Sequence, residues 1–206
     1  MLEAIRRNNV NLAAEDVSAE FLRKGIHLLI AAVPLIASIS FRFATTLLWM
    51  GIVVFALAEM LRLEGKDVPF ISKITRIVAR RGGSRKFIVA PITLALGALF
   101  SLYLFPEPVA ALAIYALAFG DGFAGLIGKM YGRIKIPFSG GKTLIGSTAC
   151  FTAVFLISMF LLKQPFHALT IASMATLLEA LPLKDFDNFV IPTGLGFFAT
   201  QLLMFN

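Results

Sequence analysis

One stretch of this 206-residue chain concentrates side chains suited to holding phosphate. It runs Phe119-Gly120-Asp121-Gly122-Phe123-Ala124-Gly125-Leu126-Ile127-Gly128-Lys129, continues past Gly132 and Arg133, and resumes at Ser139-Gly140-Gly141-Lys142-Thr143-Leu144-Ile145-Gly146-Ser147. Glycines let a backbone approach an anion closely and point N–H groups at it. The Lys142-Thr143 pair opens an apolar stretch that reads as a helix, whose first N–H groups and dipole favour a phosphate. Asp121 offers a hard oxygen to Mg²⁺, which usually takes one or two carboxylates plus substrate phosphates. The match to a P-loop fails, because the position of its first glycine is Ile136. The glycines alone fit a second reading, in which small residues let helices pack closely.

Three further clusters carry charge. Glu20, Arg23, Lys24 and His27 are spaced three and four apart, so they share adjacent turns of one helix. They are either part of a polar site or a snorkelling basic girdle beneath an apolar span. Glu59 and Arg62 end another apolar stretch, where a local ion pair is the simplest role. Glu179 lies in an apolar segment just ahead of Lys184, Asp185, Asp187 and Asn188, the last two also placed to cap a helix. If the four clusters meet on one face, they supply carboxylates for a metal, cations for phosphates and a base for an attacking hydroxyl. That is the inventory of phosphoryl transfer.

The elements that must position these residues are apolar. The chain is 58% hydrophobic and 15% charged, with a mean hydropathy of +0.85, against about a quarter charged in soluble domains. Such a surplus excludes a soluble or disordered chain and points to an all-α polytopic membrane protein. Stretches free of Asp, Glu, Lys and Arg run 25–41, 43–58, 87–106, 108–120, 143–162, 164–178 and 189–206, which suggests about seven spans. The shorter ones can span only with Glu59, Asp121 and Glu179 at their rims, and acids there are costly enough to mark function. With the amino terminus in the cytoplasm, every Lys and Arg except Arg42 and Lys163 falls inside, as the positive-inside rule requires. The working face is then cytoplasmic and the setting an integral membrane one, of the prokaryotic plasma-membrane kind. Residues 1–24 form an amphipathic cytoplasmic segment with no signal-peptide core, and 25–206 one membrane-embedded catalytic domain. The net charge of +7 is absorbed by topology and phosphate binding, so nucleic acid is not needed. The lone Cys150 allows no intrachain disulfide.

These motifs resemble the dolichol kinase, phytol kinase and CTP-dependent diacylglycerol kinase group of membrane proteins. The resemblance rests on Glu20-x-x-Arg23-Lys24-x-x-His27, on Gly120-Asp121 through Gly146-Ser147, and on Glu179-Ala180-Leu181-Pro182 with Asp187-Asn188 and Pro192. The central segment is also similar to that of phosphatidate cytidylyltransferases. Their further carboxy-terminal signature, a Pro-Gly-His-Gly-Gly run and an Asp-Arg-x-Asp, does not follow Lys184-Asp185 here. Ile145 stands where the family usually has an acid.

The resemblance implies a CTP-dependent kinase of a membrane lipid alcohol of polyprenol, dolichol or phytol type, with Mg²⁺ as cofactor and CTP as co-substrate. A phosphatidate cytidylyltransferase or diacylglycerol kinase is the alternative, and a small ion-coupled transporter a more distant one. Asp121, Lys142, His27 and Glu179 are then the catalytic candidates, and Asp121, Glu179 and Asp187 the metal ligands. Arg23, Lys24, Gly120, Gly125, Lys129, Gly140, Gly141, Thr143, Gly146 and Ser147 would surround the nucleotide. The partners implied are the lipid alcohol, a nucleoside triphosphate and bilayer lipid, with homo-oligomerisation left open.

Overall fold

The computed structural model describes residue 21 and residues 23–66 and 87–204. Glu20, most of the 1–24 segment and the basic stretch from Lys73 to Lys86 lie outside the described residues. Those described are helical, joined by short turns, with an isolated bridge between Lys135 and Thr143. In chain order the helices are α1 (23–29), α2 (Ala32–Ile39), α3 (Phe41–Leu63), α4 (Ala90–Leu104), α5 (Val109–Tyr131), α6 (Leu144–Leu162), α7 (Pro165–Ala180) and α8 (Asp187–Met204).

Local chemistry sets the boundaries. Pro34 sits in the first turn of α2, and a proline ring clashes with the carbonyl four residues back. The apolar stretch 25–41 therefore breaks at Ile30 and Ala31, where i→i−3 bonds replace the α-helical ladder (Ile30 N–H to His27 O, 3.2 Å; Ala31 N–H to Leu28 O, 3.1 Å). Ser40 is extended (φ −152°) and its side chain accepts the Phe43 N–H, capping α3. Arg42, expected in the connection, thus belongs to the first turn of α3. Proline falls in the first turn of α4 and of α7, where its missing N–H costs nothing.

The expected span 108–120 is longer than its charge-free run. α5 continues through Asp121 to Tyr131, so Asp121 lies mid-helix, about 18 Å along the axis from Val109, and not at a rim. The turns from Ala116 to Asp121 are π-helical, a widening often found at functional positions.

α5 is the centre of the bundle. Two thirds of its apolar window (67%) is buried, against 28% for α3 and for α6. Its carboxy-terminal half packs on α6, its amino-terminal half on α4 and α8, while α6 lies along α7, α8 along α4 and α7, and α3 along α4. Leu112, Ile114, Leu117, Val154, Ile171 and Leu195 form the sealed core. The outside is apolar as well, with Trp49, Met50, Val53, Val54 and Leu57 of α3 and Phe160 of α6 all exposed. A contiguous apolar exterior is untenable in water. Three helices (α3, α5 and α6) are long and apolar enough to cross a membrane, and the exterior is that of a membrane protein.

Candidate active site

Asp121 is the hub, 4% exposed at the end of the π-helical turns. Its Oδ2 accepts a hydrogen bond from Lys24 Nζ at 2.6 Å and lies 3.3 Å from His27 Nδ1, both on α1. Its Oδ1 faces Lys142 Nζ at 3.9 Å. Lys142 in turn pairs with Glu179 Oε1 of α7 at 2.9 Å, and Glu179 Oε2 accepts a bond from Ser147 Oγ of α6 at 3.1 Å. Residues up to 155 positions apart in sequence thus form one charged chain across α1, α5, α6 and α7. Burial alone would lower the pKa of Lys142, but the carboxylates of Asp121 and Glu179 outweigh it and raise it, so the ammonium stays charged.

Asp187 heads α8 ahead of its apolar stretch and bonds the Asn188 N–H at 2.9 Å. Burial, and then the negative charge of Asp121, push its carboxyl up to about 6. Asp187 thus feels the negative charge of Asp121, which Lys142 and Lys24 partly offset. Among the described residues no three His, Cys, Asp or Glu side chains form a metal cage. Mg²⁺ on a nucleotide needs only one or two carboxylates, the phosphates and water supplying the rest. Asp121 and Asp187 fit that requirement, with Glu179 tied to Lys142 and Ser147 beside them.

The glycines divide into two groups. Gly140 and Gly141 have φ of +72° and +103°, left-handed conformations that favour glycine, and they turn the chain just before Lys142. Hydrogen bonds from Ile136 N–H to Lys142 O (2.9 Å) and Leu144 N–H to Ile134 O (3.0 Å) close that loop, and Ser139 Oγ bonds Ile136 O inside it. The helical glycines serve packing. A methyl on Gly128 would lie 2.8 Å from Thr143 Oγ1, one on Gly146 2.7 Å from Ala124 O, and one on Gly120 2.9 Å from Val154 Cγ2. A methyl on Gly125 would overlap the Lys24 side chain. Thr143 caps α6 by accepting the Gly146 N–H at 3.3 Å.

The remaining candidates lie on other parts of these helices. Arg23 is half-buried on α1 and Lys129 ends α5. Glu59 is fully buried but local: Arg62 donates to both its oxygens at 2.7 and 2.8 Å, and the Ile88 N–H adds a third bond at 2.8 Å. That cluster ties the end of α3 to the approach to α4. Asn188 is likewise a tie, donating to Ala90 O (3.1 Å) and Thr93 Oγ1 (3.3 Å) of α4. One nearby residue has no signal in the sequence. Cys150 of α6 is buried beside Gly120, one turn of helix from Ser147.

Comparison with curated proteins finds phytol kinases. A phytol kinase of the cyanobacterium Synechocystis is 28% identical over 186 residues, covering 85% of this chain and 76% of that protein. The chain is similar in sequence to these phytol kinases. Among plant proteins, phytol kinase 1 of Arabidopsis thaliana, a chloroplast protein, is 28% identical over 148 residues (63% of this chain, 49% of the relative). A probable chloroplast phytol kinase of Triticum aestivum is 27% identical over 150 residues (64% and 48%). The chain spans about half the length of these plant relatives. No family model and no solved structure matches it.

Proposed function

We propose that this protein phosphorylates a membrane lipid alcohol of the phytol type, taking the γ-phosphoryl group from a nucleoside triphosphate, CTP by the family resemblance, with Mg²⁺. The observation that carries the reading is the buried array Lys24–Asp121–Lys142–Glu179, converging from four elements beside the Gly140-Gly141 turn. The names of the relatives support the alcohol. The one-sided distribution of Lys and Arg supports a cytoplasmic site.

Phosphoryl transfer asks a protein mainly for position and neutralised charge. Lys142 supplies a permanent cation on the loop that enters α6. Asp121, with Asp187, would hold Mg²⁺, which neutralises charge across the phosphates when bound. His27, fixed beside Asp121 Oδ2, is the side chain type most often used as a general base. In the reaction the alcohol oxygen bonds to the γ-phosphorus, the bond from that phosphorus to the β,γ-bridging oxygen breaks, and the nucleoside diphosphate leaves. The alcohol proton passes to His27 Nε2, since Nδ1 is turned to Asp121 Oδ2. Bilayer lipid around the apolar exterior holds the alcohol's chain, with its hydroxyl free to meet the site.

The test is purified protein in lipid nanodiscs with phytol, Mg²⁺ and either CTP or ATP, followed by mass spectrometry of the lipid. Phytyl phosphate with CTP, abolished by EDTA, is the expected result. A nucleotide–lipid conjugate with pyrophosphate release would overturn the reading.

A further inference from the structure

Lys24 reaches Asp121 by an unusual route. Its stem lies directly on the surface of α5 at Gly125, where any β-carbon would overlap its Cε and lie 2.8 Å from its Nζ. Its ammonium then makes two bonds to one residue, 2.6 Å to Oδ2 and 3.1 Å to the backbone carbonyl of Asp121. That carbonyl sits where the π-helical turns pass into regular helix, a place where the regular i→i−4 ladder changes register and side chains can insert. The other carboxylate oxygen, Oδ1, is left facing Lys142 and the nucleotide side. At 13% exposure Lys24 is too enclosed to serve as a mobile surface cation.

From this geometry we infer that Lys24 is a positioning residue: it latches α1 onto α5 through the notch at Gly125 and fixes Asp121 so that Oδ1 is presented to the reacting groups. Gly125 is the second half of the device, since it admits the lysine stem. Gly122, three residues earlier on the same helix, provides a matched control, because a methyl there meets nothing closer than Leu28 Cδ2 at 3.8 Å. The kinetic consequence rests on the phosphoryl-transfer reading above; the latch itself does not.

The experiment compares wild type, Gly125→Ala, Gly122→Ala, Lys24→Met and the double variant Gly125→Ala/Lys24→Met in nanodiscs. Acylation of Lys24 by acetic anhydride is read by mass spectrometry, with exposed Lys66 as internal reference. Lys24 is slow to label in wild type and Gly122→Ala and becomes fast in Gly125→Ala. Alanine favours helix over glycine, which offsets part of the cost of displacing Lys24, so Gly125→Ala stays folded with a lowered unfolding temperature and kcat is read per folded molecule. Its kcat falls roughly 10- to 100-fold, the scale set by small misplacements of a reacting group. The double variant is no slower than Lys24→Met alone, since both changes remove one contact. Unchanged labelling in Gly125→Ala, a wild-type kcat despite raised labelling, or additive losses in the double variant would each overturn the inference. If wild type phosphorylates no alcohol, the proposed function falls, and the labelling comparison still decides the latch.

Discussion

Two of the buried carboxylates in this bundle, Glu59 and Asp121, are held in opposite ways. Glu59 is enclosed by an arginine one turn away and by a backbone N–H, three bonds between 2.7 and 2.8 Å. Every partner is close in space, and the arginine is close in sequence. Asp121 is met by Lys24, His27 and Lys142 from outside its own helix, at 2.6, 3.3 and 3.9 Å. The first arrangement is saturated and local, which is what a structural ion pair requires. The second is convergent and graded in distance, with one carboxylate oxygen loosely engaged. A buried charge assembled from distant segments at such cost marks a candidate site.

The comparison can be broken by exchanging the consequences of mutation. Asp121→Asn keeps shape and removes charge, and it should lower phytol phosphorylation by about 100- to 1,000-fold, as loss of a main electrostatic contact does. Lys24 loses its buried partner, so the unfolding temperature should fall as well, and activity is compared per folded molecule. Glu59→Gln should lower stability alone. It removes the carboxylate that Arg62 pairs with and should cost about 3 kcal/mol of stability, seen as a lower unfolding temperature, with activity per folded molecule retained. If Glu59→Gln silenced the folded protein, the two acids would not differ as argued.

Smaller effects sharpen the boundary between site and scaffold. Gly128→Ala drives a methyl against Thr143 Oγ1 at 2.8 Å, and overpacking of this kind costs about 1–3 kcal/mol, partly offset by helix propensity. Thermal unfolding in detergent reads that loss. Asn188→Ala removes two bonds to α4 and should cost about 1 kcal/mol, again without a change in kcat.

The same contrast explains what could be read from residues alone. The Glu59–Arg62 pair was visible, because i,i+3 spacing places both ends on one turn. So were the helices themselves and the start of one at Lys142-Thr143, which depend on local composition. The site was legible as an inventory: Lys24, His27, Asp121, Lys142, Ser147 and Glu179 do meet. Its depth was not. Asp121 looked like the end of a span, because a charge-free run stops there and the lysine that stabilises it lies 97 positions away. The role of each glycine was equally hidden. Gly125 and Gly140 look alike in sequence, yet one clears a path for Lys24 and the other adopts a left-handed turn. Which neighbour a missing β-carbon makes room for is a property of tertiary packing, and spacing carries no trace of it.

The most direct measurement is transfer from CTP labelled at either its α or its γ phosphate to phytol, by the wild-type protein reconstituted in vesicles with Mg²⁺. A phosphoryl-transfer site built on Asp121 and Lys142 predicts label in the lipid from the γ position and none from the α position. Label arriving from the α position, or no lipid labelling by folded protein, would contradict it.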